Sequence, residues 1–272
     1  SGLNPSTYHT SDSMTSTDDK TYFNVRLEFD RDKLDRTIFE AIEKGIPGYS
    51  WSVESNNLTV ATRNTEFLKV LDGALVNNCD GSILAKILAW IHGENIDSYI
   101  GADIFTKYVG MKRFRQFFLG NTEEVLAGLR ENLSKVDPKI RDMRFETLPF
   151  RAVDEFDYPA IAELLNADNP DTIWVSLGAP KQEMFMARLK PYLKRGVMFG
   201  YGAIFNFNAG GAGNVRRAPK WMLRLRLEWL HRALEQPKKN IPRYWGFIKI
   251  LPGLIIQERK KVKAARKASA SH

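Results

Sequence analysis

Apolar positions along the first two hundred residues fall into two alternating rhythms. Val25, Leu27 and Phe29 alternate within Asn24–Phe29, the period of a half-buried strand. From Asp30 to Lys44 the spacing lengthens, and Leu34, Ile38, Ala41 and Ile42 share one helical face. The exchange then repeats. Ala74–Asn78 reads as a strand before a helical run from Ser82 to His92, and Gln116–Leu119 as a strand before a helix that starts near Asn121 and Glu124 and runs to Ser134. Tyr158–Asn166 is a predicted helix, Thr172–Leu177 a fully apolar strand, Glu183–Tyr192 a helix and Val197–Tyr201 a final strand. Strands alternating with helices predict an α/β fold, with a mostly parallel sheet covered by helices on both faces.

The rhythm changes after Gly213. Pro219–Glu235 carries Leu223, Leu227, Leu230 and Leu234 at helical spacing, with Lys220, Arg224, Arg226 and Arg232 largely off that face, and Pro237 is expected to end the helix. Pro242 and Tyr244-Trp245 open a second segment. Its apolar run, Trp245–Ile256, is interrupted by Lys249 and Pro252 and is too short for the ~20 residues of a bilayer span. Such a segment can lie in the interface, aromatic rings at headgroup depth and Lys/Arg on phosphates. Arg259–Lys267 is a basic run fading into Ala and Ser, expected to be disordered. The pattern divides the chain into a leader (1–13, with Met14 as start), an α/β body (14–213), a helical appendage (214–258) and a basic tail (259–272).

Charge sharpens this division. The 272-residue chain has a net charge of +8, but residues 216–272 hold sixteen Lys/Arg against three Glu, a net of +13, which leaves about −5 for residues 1–215. A mildly acidic body with a basic end implies a polyanionic partner, either nucleic acid or an anionic membrane surface. The single cysteine, Cys79, excludes an internal disulfide and suits a reducing compartment. The first twenty residues are rich in Ser, Thr and Asp, so no signal peptide is expected.

Open α/β sheets bind ligands beyond the carboxyl ends of their strands. Three segments begin where predicted strands stop: Cys79-Asp80-Gly81, Gly178–Glu183 and the glycine-rich stretch from Gly200 to Gly213. Asp80 stands between a strand and a helix, where a carboxylate can deprotonate a hydroxyl; an Asp-Gly turn and a helix cap fit equally. Gly178 permits close backbone approach to a phosphate, and Gln182 can bond a base or sugar edge, although a plain βα turn entered through Pro180 fits the same residues. Gly200-Tyr-Gly202-Ala-Ile-Phe205 misses the third glycine of the dinucleotide fingerprint. Gly210, Gly211 and Gly213 read as a hinge before the appendage. Asp30-Arg-Asp32 has the form of a metal-binding Asp-x-Asp, but heads a helix where acidic residues are favoured anyway. It is read as a helix start, and no metal site is expected; the four histidines lack ligand spacing.

Taken in order, these segments resemble the WecG/TagA/CpsF family of glycosyltransferases. The residues that carry the resemblance are Arg63–Glu66 (Arg-Asn-Thr-Glu), Asp80-Gly81, Gly101-Ala-Asp103, Val175–Glu183 (Val-Ser-Leu-Gly-Ala-Pro-Lys-Gln-Glu), Gly200–Phe205, Arg217-Ala-Pro219, Glu228-Trp-Leu230 with Arg232, and Pro237. They span about Val53 to Arg243. The resemblance implies a Rossmann-like body and a C-terminal appendage that helps complete the site at the membrane. It further implies an inverting transfer, with neither metal nor other cofactor, from a UDP-sugar to a polyprenyl-diphosphate-linked saccharide. Asp80 would then be the general base. Ser52, Asp103, Gly178, Lys181, Gln182, Glu183 and Gly202 would line the donor site, and Arg216, Arg217, Arg224 and Arg232 would face diphosphates or the membrane.

Two positions depart from the family pattern. Ser52-Val-Glu54 stands where Thr-x-Asn is common, which changes the hydrogen bonds offered to a sugar, and Ser98 replaces an arginine. The implied location is peripheral, on the cytoplasmic face of a bacterial inner membrane, and a homo-oligomer is left open. A nucleic-acid-binding protein and an NAD-dependent oxidoreductase are the competing readings. The acidic body and missing recognition module weigh against the first, and the incomplete glycine fingerprint against the second.

Overall fold

A computed structural model describes residues 20–210, 218–225 and 227–270. In chain order the elements are β1 (Thr21–Tyr22), β2 (Val25–Arg26), α1 (Arg31–Glu43), β3 (Gly48–Val53), α2 (Ser55–Ala61), α3 (Thr65–Asp72), β4 (Val76–Cys79), α4 (Ser82–His92) and α5 (Gly101–Gly110). They continue with β5 (Gln116–Gly120), α6 (Glu123–Val136), β6 (Arg144–Glu146), α7 (Tyr158–Asp168), β7 (Thr172–Ser176), α8 (Lys181–Leu189), β8 (Val197–Phe199) and α9 (Gly202–Asn208). Three helices follow: α10 (Lys220–Arg224), α11 (Glu228–Glu235) and α12 (Pro237–Ala270).

Six strands form one sheet in the order β4-β3-β8-β7-β5-β6, and each neighbouring pair is parallel. Parallel neighbours need crossover connections, and the crossover helices cover both faces. This is why β5 and β7 are buried along their whole length and read as unbroken apolar runs. Trp174 in β7 anchors the centre: its ring lies 4.5 Å from that of Phe199 and 4.7 Å from that of Phe105, and its Nε1 donates to Gln116 Oε1 at 2.8 Å. The α/β expectation is therefore met by a sheet that is parallel throughout.

Local signals account for several boundaries. Asp30 caps α1, its side chain accepting from the backbone N–H groups of Asp32 and Lys33, both at 3.0 Å. The Asp-x-Asp resemblance is thus occupied by capping. Thr122 rather than Asn121 caps α6. Asn24–Phe29 is not one strand; only Val25–Arg26 pairs, antiparallel with Thr21–Tyr22. The sheet also contains β3, in which Tyr49, Trp51 and Val53 alternate with Ser50 and Ser52 and which was not among the predicted strands.

The C-terminal region differs most from expectation. Pro219–Glu235 is not one helix but two short ones, α10 and α11, with Leu234 exposed. Pro237 starts a helix instead of ending one, as its fixed φ allows at the first helical position. That helix, α12, passes through Pro242 and Pro252 and continues to Ala270, so the basic run Arg259–Lys267 is helical and not disordered. Each proline removes one i→i−4 hydrogen bond, and tertiary docking compensates. Phe247 and Leu254 are buried against the body, with Ile250, Leu251, Ile255 and Val262 partly buried around them.

A buried carboxylate fastens the distal half of α12. Glu258, 2% exposed, accepts from the Phe23 backbone N–H at 2.9 Å, pairs with His92 Nε2 at 2.9 Å and takes Lys261 Nζ at 3.1 Å. Arg266 adds a bond from Nη2 to the His92 carbonyl at 2.7 Å, capping the C-terminus of α4. Removing the carboxylate would strand these buried donors, a loss of about 1–3 kcal/mol. Glu258→Ala is therefore expected to lower the unfolding free energy by about that amount, and to release amide-exchange protection first in residues 254–270 and at Phe23. Unchanged exchange in that segment would show that the apolar contacts alone hold the helix.

Candidate active site

All six strands point their carboxyl ends to the same edge of the sheet, so the loops after β3, β4, β7 and β8 gather there. Asp80 follows β4 directly. Its backbone N–H still bonds the Val53 carbonyl at 3.0 Å, and its Oδ1 accepts from the Gly101 N–H at 2.8 Å. Asp80 therefore caps neither the turn nor α4, whose N-cap is Gly81. It is held by the amino end of α5, a site that favours negative charge. Gly101 is required there, because a Cβ would come within 2.6 Å of Ser52 Oγ.

Beneath Asp80 lies a polar layer. Asn78 Nδ2 donates to Ser52 Oγ at 2.7 Å and to the Tyr99 carbonyl at 2.6 Å, while Tyr201 O–H donates to Asn78 Oδ1 at 3.1 Å. Ser52 is thus fixed in β3 beside the Asp80 strand. Asp103 is exposed on the first turn of α5.

The appendage reaches this edge through Arg232 of α11. Its Nη2 donates to Glu228 Oε1 at 3.0 Å, and Nη1 lies 3.9 Å from Glu54 Oε2. Asn240 and Tyr244 of α12 bond the carbonyls of Arg232 and Trp229, at 2.7 and 3.1 Å, which fixes α11 in place. Burial pushes the Asp80 carboxyl above the usual carboxylate range; the Arg232 guanidinium and the Gly101 N–H oppose that shift, and Glu54 and Glu228 add to it. Arg232 is itself held more firmly charged, because the pull of Asp80, Glu228 and Glu54 outweighs its desolvation.

A second cluster forms after β7. Gln182 is buried, and its Nε2 donates to the Gly200 carbonyl at 2.8 Å. Its amide nitrogen is committed to joining the β7 and β8 loops, whereas Oε1 has no partner among the described residues. Gly202 packs so closely that a Cβ there would lie 2.8 Å from Gln182 Oε1 and 3.4 Å from the Gly178 nitrogen. Gly178 has φ +77 and is open to solvent, and Lys181 Nζ sits over the rings of Phe150 and Phe156, at 5.0 and 5.3 Å. Glu183 turns inward. Asn57 Nδ2 donates to its Oε1 at 3.1 Å while Asn57 Oδ1 accepts from the Glu54 N–H at 2.8 Å, so α2 ties this cluster to Glu54. Arg243 Nη2 reaches the Ala179 carbonyl at 3.4 Å.

The structure thus gathers Asp80, Ser52 and Arg232 in one group and Gly178, Gln182 and Gly202 in another, with Glu183 linked to the first through Asn57. Arg224 is exposed on α10, and Arg216 and Arg217 lie outside the described residues. Sequence reasoning missed Asn57 and Arg243, whose roles arise from pairings 126 and 64 residues apart, and gave Glu228 no role beyond the motif it belongs to. The position of Ser98 is also informative: its carbonyl accepts from Arg31 Nη2 at 2.9 Å, and Arg31 lies over the Tyr99 ring at 4.9 Å.

A parallel α/β body with a carboxylate at a strand end, beneath a basic appendage, suits an enzyme that transfers a group to a hydroxyl, and the chain is a glycosyltransferase. Residues 21–264 match the model of the glycosyl transferase WecG/TagA/CpsF family, and the chain belongs to that family. It is similar to the N-acetylglucosaminyldiphosphoundecaprenol N-acetyl-beta-D-mannosaminyltransferase of Bacillus subtilis (strain 168), 31% identical over 193 residues that cover 68% of this chain and 72% of the relative. The protein of the same name from Bacillus spizizenii (strain ATCC 23059 / NRRL B-14472 / W23) is 30% identical with the same coverage.

Burial also governs Glu183, whose carboxyl is pushed up to about 7 by desolvation, with Glu54 adding and Asn57 and Arg243 opposing. The free chain releases this proton near 4.5 and the folded protein near 7. Between those values the folded state binds more protons, so this group's contribution to stability is complete below about 4.5 and is lost as pH rises through about 7. Glu183→Gln stays neutral throughout. Thermal unfolding should therefore show the variant gaining on wild type between pH 5 and pH 8 by a few kcal/mol. An equal gap at both pH values would place the Glu183 carboxyl in its ordinary range.

Proposed function

We propose that the chain is an inverting, metal-independent glycosyltransferase that moves a sugar from a UDP-sugar to a polyprenyl-diphosphate-linked saccharide in bacterial surface polysaccharide synthesis. The observation that carries this reading is Asp80, held by the Gly101 N–H at a strand end while Arg232 enters from the appendage. The names of the two Bacillus relatives specify a diphosphoundecaprenol-linked N-acetylglucosamine and an N-acetylmannosaminyl group, which supports the same chemical class here.

In this mechanism Asp80 takes the proton of the acceptor hydroxyl as that oxygen attacks the anomeric carbon of the donor. The bond from that carbon to the diphosphate oxygen breaks, and its electron pair leaves with UDP. A single displacement inverts the anomeric configuration. A carboxylate whose proton affinity is raised by burial is a stronger base, and positioned base catalysis contributes roughly 10²–10⁴ in rate. The amides around Gly178 and Gly202 and the appendage arginines supply preorganised donors for the departing diphosphate.

The surface of the appendage suits a membrane-borne acceptor. No described helix is long and apolar enough to cross a bilayer. Ile241, Trp245, Ile248, Pro252 and Ile256 nevertheless form one exposed stripe at helical spacing along α12, and Trp221 and Leu225 are exposed on α10. α12 contains ten Lys/Arg and a single acidic residue, the buried Glu258. Apolar stripes flanked by bases suit the interface of an anionic membrane, and we assign the protein to the cytoplasmic face of the inner membrane.

The test is UDP release from a panel of UDP-sugars, with EDTA present and polyprenyl-diphosphate-linked N-acetylglucosamine as acceptor. One donor is expected to give acceptor-dependent release that Asp80→Asn lowers by about two decades or more. Wild-type turnover in that variant would remove Asp80 from the base role, and abolition by EDTA would refute metal independence. The Arg232 charge makes a further, separable prediction. Because that charge favours ionised Asp80, Arg232→Gln should move the acidic limb of the kcat profile to higher pH as well as lowering the plateau. A lowered plateau with an unmoved limb would confine Arg232 to substrate binding.

A further inference from the structure

The outward face of α4 belongs to the body, and nothing in the transfer chemistry accounts for it. Ile83, Ile87 and Trp90 recur at helical spacing along that face, Ile83 44% and Trp90 61% exposed, with the exposed Lys86 beside them. The other face of the same helix is core, with Leu84, Ala85, Leu88 and Ile91 buried. α4 is therefore apolar nearly all round, although Ile83 and Trp90 stay exposed on one side, where Ile87 packs partly against the core and Trp90 meets Arg259 of α12. A stripe of this kind that includes a tryptophan calls for a covering phase.

Two observations indicate what covers it. The stripe is continuous with that of α12, because the Arg259 guanidinium lies 4.3 Å from the centre of the Trp90 ring and Arg259 follows the exposed Ile256 by three residues. Bases also predominate along both helices, with the exposed Glu94 lying just past the end of α4. α4 contains no acidic residue, the one acid of α12 is the buried Glu258, and Lys86, Lys249, Arg259, Lys260 and Lys263 are all exposed. A protein partner is ordinarily met by a mixed-charge rim, whereas an anionic lipid surface is complemented by bases alone, with tryptophan at headgroup depth.

We propose that α4 is a second lipid contact, carried by the catalytic body itself, and that Ile83, Ile87 and Trp90 lie in the bilayer interface beside the α12 stripe. This inference rests on the membrane reading above and extends it from the appendage to the body. Its consequence is positional. α4 starts at Ser82, two residues after Asp80, so a bilayer touching Ile83 brings the lipid surface to the catalytic loop. The acceptor's diphosphate can then meet the site while its polyprenyl chain stays in the membrane. The latch at Glu258 and His92 holds the two stripes in fixed relation, because His92 is the last residue of α4.

The test uses the full chain with an environment-sensitive fluorophore on Ile83→Cys, Ile248→Cys or, as a reference, the exposed Glu163→Cys of α7; Cys79 is fully buried and serves as the unlabelled background. Vesicles of phosphatidylglycerol and phosphatidylcholine, with and without brominated acyl chains, are the probe. The Ile83 and Ile248 labels are expected to shift to the blue and to be quenched by bromine, and the Glu163 label to do neither. Quenching at Ile248 but not at Ile83 overturns this inference and leaves the appendage on the membrane. Quenching at neither overturns both. A blue shift at Ile83 that grows with protein concentration in the absence of vesicles would assign the stripe to a second copy of the chain. As an independent readout, the double variant Ile83→Ser, Trp90→Ser should weaken vesicle binding by roughly tenfold with its circular dichroism unchanged, and undiminished binding counts against the proposal.

Discussion

The charge on Asp80 is favoured by Arg232, which is brought to it from outside the α/β body. Burial disfavours the Asp80 carboxylate, and Glu54 and Glu228 disfavour it further; among the described residues, the Gly101 N–H and the Arg232 guanidinium pull the other way. One of these is intrinsic to the sheet edge, being the first amide of α5. The other depends on α11 staying in place, and α11 is short, with no fully buried side chain. Its position comes from α12, through the bonds of Asn240 and Tyr244, and α12 in turn is held by Phe247, Leu254 and Glu258. Docking of the C-terminal helix and ionisation of a carboxylate at the sheet edge are thus one energetic problem.

This coupling extends to the loop after β7. Asn57 bonds Glu54 on one side and Glu183 on the other, so α2 joins the first residue beyond β3 to the first turn of α8. Glu54 raises the cost of charge on Glu183, which burial already pushes up to about 7. Arg243 bonds the carbonyl of Ala179 in the same loop, which gives α12 a second contact with the edge of the sheet. The appendage therefore meets both clusters of polar groups, at Arg232 and at Arg243, and is part of the site's architecture.

What could be read from sequence follows the range of the interactions involved. Strands buried on both faces, such as Thr172–Ser176, announce themselves as apolar runs, and Asp80 was legible because a strand end fixes where it must lie. β3 was passed over although Tyr49, Trp51 and Val53 alternate with Ser50 and Ser52, because an alternating run does not show that both of its faces are buried in the middle of the sheet. Arg259–Lys267 read as disordered because polarity alone cannot show that a glutamate at 258 finds Phe23 and His92 more than 160 residues away. Gln182 shows the same limit within the site. Its type suits a base or sugar contact, but its amide nitrogen is committed to the Gly200 carbonyl, a bond that depends on how β7 and β8 are set side by side.

The substitution of Glu54 for the family's usual asparagine acquires a physical meaning in this setting. An asparagine there would offer a sugar both a donor and an acceptor and would leave Arg232 with Glu228 and Asp80 alone. Glutamate adds a third carboxylate to the same guanidinium, at 3.9 Å. That anchors Arg232 more firmly, and it also raises the proton affinity of Asp80. The two effects oppose each other in ground-state charge yet act together in the mechanism proposed above, where a base with higher proton affinity accepts the hydroxyl proton more readily beside a charged guanidinium. Burial alone would achieve the first only by neutralising Asp80 outright. A carboxylate cluster organised around one arginine raises that affinity while the guanidinium opposes the loss of charge.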